Sequence, residues 1–253
     1  MAILLALAAV CALRGTWSPC GLSMLSTITP LSERARGRSF VRSAIWFLSG
    51  ACLGGAILGG SIYGLAVAVQ TVPVDQRLRG LVALVAVAVC VAADGRIAGV
   101  RLPDIPRQVD ETWVNRFRPW VYAGGFGLQI GAGLLTYVMT AGLYALIVAT
   151  ALLEPPTFAL VVGVTFGFVR GATVFFGVLA TTPPRLQAMH RWFSRTDRLS
   201  LATAMALQIA VMAACVALVG IAPSWLLVAG GLGLATASFY RLRARTLATA
   251  GIE

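Results

Sequence analysis

The sequence predicts an all-α, polytopic bundle of transmembrane helices, and three observations carry that prediction. Of 253 residues, 58% are hydrophobic and 11% charged, roughly half the charged share of a soluble domain, so no soluble fold could hide this much apolar surface. The apolar residues gather in runs near the 20 or so needed to cross a bilayer. The net charge of +11 comes from 20 basic residues, every one an arginine, clustered between those runs. Juxtamembrane charge explains this placement better than a nucleic-acid face, so the expected partner is the lipid bilayer and not nucleic acid.

Seven runs qualify as spans: 2–29, 43–70, 81–100, 120–152, 157–181, 199–221 and 224–240. The first lacks a positive leading region and a small-residue cleavage site, so it reads as a membrane helix rather than a cleaved signal. Four connections are arginine-rich. They hold Arg34, Arg36, Arg38 and Arg42; Arg101, Arg107, Arg116 and Arg118; Arg185, Arg191, Arg195 and Arg198; and, after the last span, Arg241, Arg243 and Arg245. With seven spans all four lie on one side, which puts the N-terminus outside and the C-terminus in the cytoplasm of a cell membrane. The connection 101–119 also carries Trp113 and Phe117, with Trp120 just after it. It reads either as a helix lying in the headgroup region or as a polar loop with aromatic anchors.

Sliding the chain by 112 residues brings Gly15, Gly21 and Leu22 onto Gly127, Gly133 and Leu134, and a shift of 113 brings Gly50 and Gly54 onto Gly163 and Gly167. Together with the span count this predicts two inverted three-helix repeats, 1–100 and 120–221, joined by 101–119. The segment 222–253 adds a seventh helix and a basic tail, all in one integral membrane domain, 1–253. Each repeat opens with an interrupted apolar segment, at Gly15 to Gly21 and at Gly124 to Gly133, and inverted repeats place their working sites where such broken helices meet. The same glycines would also serve plain helix packing.

Five cysteines, Cys11, Cys20, Cys52, Cys90 and Cys215, lie in apolar spans without a CxxC pair, which excludes a zinc site and a thioredoxin motif. Cys11, Cys90 and Cys215 are expected as small apolar fillers, although Cys90 returns below with Cys52. Cys20 stands apart because Pro19 precedes it at the first break. The run Trp17-Ser-Pro-Cys-Gly-Leu-Ser-Met-Leu-Ser-Thr-Ile-Thr-Pro30 resembles the first membrane segment of the CcdA family of cytochrome c biogenesis proteins and of the membrane domain of DsbD. The resemblance implies two three-helix inverted repeats, each with a Pro-Cys, passing reducing equivalents from thioredoxin to outward-facing partners, with Cys20 as the catalytic thiol. Where the second Pro-Cys should stand, this chain has Gly131-Ala132. One thiolate cannot cycle a disulfide alone. Cys52 or Cys90 would have to supply the second sulfur, or a partner would, or the fold serves another purpose.

Arg14 and Arg170 fall inside spans one and five. An intramembrane arginine costs at least about 2.5 kcal/mol and faces the bundle interior, a cavity or a partner. Neither has a carboxylate in its own span, and Asp94 and Glu154 are the nearest acidic candidates in depth. Arg14, Pro19, Gly131 and Arg170 are therefore the candidate binding residues around Cys20. Tyr137 and Thr140 are candidates to line a cavity or to pack, and His190 is expected at the interface. No phosphate loop, dinucleotide fingerprint or Ser-His-Asp set is present, and no cofactor is expected. Three functions remain: thiol-disulfide relay through Cys20, passage of a small anionic or polar solute past Arg14 and Arg170, or a non-catalytic subunit anchoring a membrane enzyme.

Overall fold

A computed structural model describes residues 1–100, 112–135 and 137–220, and among them every regular element is helical. Helix α1 (Ala2–Arg14) passes through a 3₁₀ turn, Gly15–Trp17, into α2 (Pro19–Thr27), and the pair is bent by 71°. Pro19 starts α2 at its first position, where the missing N–H costs nothing. The Ser18 hydroxyl accepts from Gly21 N–H at 3.0 Å and caps the new helix. Short α3 (Pro30–Ala35) is capped by Thr29. Then come the long α4 (Phe40–Gln70) and α5 (Gln76–Asp94). After the single turn α6 (Trp113–Arg116) follow α7 (Pro119–Gly131), α8 (Gly142–Leu153) and α9 (Pro156–Ala172) with its 3₁₀ extension to Leu179, and last α10 (Pro183–Val219).

Four of these helices, counting α9 with its extension, are long and apolar enough to cross a membrane, five if the bent α1–α2 pair forms one span. This bears out a multi-pass bundle of apolar helices suited to a bilayer. The expected fourth span, 120–152, is not one helix: α7 and α8 have 13 and 12 residues, each short of the 20 or so a crossing needs. The sixth is longer than expected, because α10 begins at Pro183 and absorbs the arginine-rich connection. The seventh, 224–240, lies outside the described residues, as do 101–111 of the expected interfacial connection. Its described end is packed: the Trp113 ring stacks on Phe126 at 6.1 Å and meets Phe117 edge-on at 5.7 Å.

Helix α4 is the central strut, with α7 against one side and α9 against another. The approach is so close that a side chain on Gly55 would strike the α9 backbone at Gly163, one on Gly59 that at Ala159, and one on Gly127 the α4 backbone at Phe47. Without a hydrophobic drive between helices in lipid, such small-residue contact supplies the packing. One core, with Leu7, Leu58, Leu146 and Val162, joins α1, α4, α5, α8, α9 and α10; a second, with Met24, Phe47, Tyr122 and Phe193, joins α2, α4, α7 and the start of α10. Glu33, in the arginine-rich connection after the first span, is fully buried. Its carboxylate accepts from Ser43 Oγ at 2.7 Å and Tyr122 OH at 2.8 Å, and pairs with Arg36 at 3.4 Å, tying the α3 corner to α4 and α7.

Candidate functional site

The first break is built around Arg170. From the last turn of α9 its guanidinium reaches the seam between α1 and α2, donating to Ala12 O at 3.3 Å, Thr16 Oγ1 at 3.5 Å and Ser18 Oγ at 3.5 Å. It is 3% exposed, and among the described residues it has no carboxylate partner. Gly15 leaves room for it: a Cβ would lie 2.5 Å from the guanidinium carbon, so a larger residue would make the Arg170 side chain shift. The interior position expected for Arg170 is what the structure has.

The second break is displaced from its expected place. Helix α7 runs through Gly124 to Gly131 without interruption, the backbone turns left-handed at Gly133, where φ is 70°, and α8 begins at Gly142. Gly131 packs on the Ala51 backbone of α4. The opened segment is held by Asp94, at the end of α5: its carboxylate accepts from the Thr140 hydroxyl, from Ala141 N–H at 2.7 Å and from Gln208 Nε2 at 2.8 Å. Gln208 is fully buried, and its Oε1 has no hydrogen-bond partner among the described residues.

A small cavity of about 20 Å³ joins the two breaks, lined by Gly15 and Arg170 from one side and Gly133, Tyr137 and Thr140 from the other, with Cys11 beside them. It has room for a water molecule. Arg170 lies 14 residues from the start of α9, Gln208 11 from the end of α10 and Gly142 11 from the end of α8, about 21, 16 and 16 Å along their axes. These depths are half to two thirds of an apolar core about 30 Å thick.

Arg14 is elsewhere. Its buried side chain faces α10, where Nη1 contacts Asp197 Oδ1 at 2.6 Å, Asp197 O at 2.9 Å and the Ser200 hydroxyl. Neither Asp94 nor Glu154 is its partner. The cavity wall contains Arg170 and not Arg14, so the two arginines flank the first break without forming one positive site. Trp17 donates to Phe193 O at 2.9 Å and packs edge-on against its ring, and His190 Nε2 meets Ser26 Oγ at 3.0 Å. Together these fix α2 against α10. Pro19 only starts α2, and Cys20 is a buried thiol of the second core. None of the five cysteines is in a disulfide, and Cys90 belongs to the other core. Sequence reasoning missed Asp197 and Gln208, whose partners are 183 and 114 residues away along the chain. The only signal for Gln208 was a polar residue inside an apolar stretch, and Asp197 lay among the charges of an arginine-rich connection, where nothing marked it.

The methylamine utilization protein MauF of Paracoccus versutus is 30% identical over 208 residues, covering 78% of this chain and 72% of that protein. MauF of Paracoccus denitrificans is 30% identical over 200 residues, 77% of this chain and 69% of that protein. MauF of Methylorubrum extorquens is 30% identical over 155 residues. No family model and no solved structure matches the chain. These relatives correct the expected place in the CcdA and DsbD family, and with it the thiol-disulfide relay through Cys20 and any link to cytochrome c biogenesis. The Trp17 to Pro30 run misled because Ser-Pro at this position starts a helix after a break, a structural task that does not depend on the following thiol.

Proposed function

Since the chain belongs to the MauF family, we propose that it serves methylamine utilization as a multi-pass membrane protein whose working centre is the polar cavity between its two broken helices. The carrying observation is Arg170: a cation with no carboxylate partner among the described residues, at mid-depth, in the wall of a cavity to which both breaks contribute. Irregular backbone at this depth persists only where protein or water satisfies it. Here Arg170 serves the first break and Asp94 the second, and they leave Thr140 and the guanidinium bordering one space.

The finer architecture we propose is the inverted repeat, 1–100 against 120–221, with the N-terminus outside. Its support is the parallel between halves. Each opens with a broken helix, α1–α2 and α7–α8, and α4 packs on α9 as α5 packs on α10. The exposed arginines of α3, α4 and the first half of α10 then share the cytoplasmic side.

The test uses a host that grows on methylamine and from which this chain has been deleted, complemented with wild type, Arg170→Ala or Arg170→Lys. Membrane levels of each protein are measured alongside growth. Deletion is expected to abolish growth on methylamine and leave growth on ammonium intact; methylamine growth without the chain would end the family-derived role. Arg170→Ala and Arg170→Lys at wild-type levels are both expected to fail, because a lysine ammonium cannot reach Ala12, Thr16 and Ser18 together as the planar guanidinium does. Full growth with Arg170→Ala would remove the proposed centre while leaving the role in place.

A further inference from the structure

The first half of α10 sits in different surroundings from the second. Between Pro183 and Arg198 it exposes Arg185, Arg191, Arg195 and Arg198, and Asp197, its one carboxylate, is held by Arg14. The helix has 37 residues, about 55 Å, against a hydrocarbon core of about 30 Å. Some 16 residues therefore extend into the headgroup layer if the apolar half spans.

Against this stretch lies an open groove of about 670 Å³, inside the roughly 300–1,000 Å³ range of ligand-holding pockets. Phe176, Leu179, Met189 and Trp192 make its walls, and Arg185 is their one charged residue. Leu179 and Trp192 are 66% and 53% exposed, and the Arg185 guanidinium is steadied by Thr181 Oγ1 at 3.0 Å. An apolar trough with a cation in its wall and three more cations on the same half-helix complements an amphiphile that joins an acyl chain to a negative headgroup. We propose that this groove binds an anionic phospholipid, its acyl chain against Phe176, Leu179 and Trp192 and its phosphate at Arg185. Basic segments where helices leave a membrane attract anionic lipid at about 1 kcal/mol per arginine, a factor of about five. Trp192 suits the boundary between apolar and wet layers. This inference is independent of the Arg170 centre.

The test titrates the purified protein in neutral detergent micelles with phosphatidylglycerol or phosphatidylcholine carrying brominated acyl chains, reading quenching of tryptophan fluorescence. The phosphatidylglycerol is expected to quench at about fivefold lower concentration, and the difference to vanish in Trp192→Phe, which removes the reporter. Arg185→Gln should erase the preference between headgroups. Ala188→Phe, which fills the groove without changing charge on an exposed face, should block quenching at this site by both lipids. Equal quenching by the two lipids in wild type overturns the proposal, as does an unchanged preference in Arg185→Gln. Displacement of the lipid by millimolar inorganic phosphate would show a bare anion site and also overturn it.

Discussion

Replacing Arg170 with methionine separates a working residue from a structural one, because the two roles predict opposite changes in stability. Its three hydrogen bonds measure 3.3, 3.5 and 3.5 Å, at or beyond the long end of the usual range, so each contributes at most about 1 kcal/mol. Against a total of about 1–3 kcal/mol stands the burial of an unpaired guanidinium at mid-depth, about 2.5–3.5 kcal/mol on insertion scales. Methionine fills similar space without the charge. Ser18 Oγ is not orphaned by the change, since it still accepts from Gly21 N–H at 3.0 Å and donates to Gly15 O at 2.7 Å. Arg170→Met should therefore leave stability unchanged or raise it by about 1 kcal/mol, while methylamine growth is lost. Denaturant-induced unfolding of purified protein in mixed micelles measures the first quantity. A loss of about 2 kcal/mol or more would show that the bonds of the guanidinium to the break outweigh the cost of its burial, contrary to the magnitudes above.

Gly15→Ala places a methyl group 2.5 Å from the same guanidinium; it should cost about 1–3 kcal/mol through overpacking and impair methylamine growth, whereas wild-type behaviour would mean the seam has slack. Asp197→Asn leaves buried Arg14 without its ion pair. With Asp197 46% exposed the loss should be about 1–2 kcal/mol, below that for a fully buried pair, and an added Arg14→Met should recover it. Asp94→Asn should be more disruptive than Gln208→Leu, by about 1–2 kcal/mol, because three donors converge on the carboxylate while the amide gives up one good bond, a long one to Thr140 Oγ1 at 3.5 Å and an oxygen with no partner among the described residues; equal effects in unfolding assays would contradict the account of the second break.

The first break was legible because proline and closely spaced glycines mark it within seven residues, and Arg170 was legible because a lone cation in an apolar run must turn inward. Tyr137 and Thr140, open between cavity and packing, line the cavity. The second break was misplaced for a physical reason. Glycines Gly124 to Gly131 suggest a weak helix, yet in apolar surroundings the helix remains the best partner for its own backbone, and Gly127 and Gly131 serve close approach to α4 instead. The opening at 132–141 carries no proline; it is stabilised from outside by Asp94, which no local pattern announces. Arg14 was likewise read with the wrong partner, because helix register along α10 decides that Asp197 and Ser200 face it. The Pro-Cys motif was legible but uninformative about chemistry, since its proline has a purely local structural use here.

The central claim is that the chain acts in methylamine utilization through the Arg170 centre and not through a thiol. Most direct is the growth rate on methylamine of cells carrying Arg170→Met or Cys20→Ala in place of wild type, at matched membrane levels. The account predicts less than a tenth of the wild-type rate for Arg170→Met and a near wild-type rate for Cys20→Ala; the reverse pattern would contradict it.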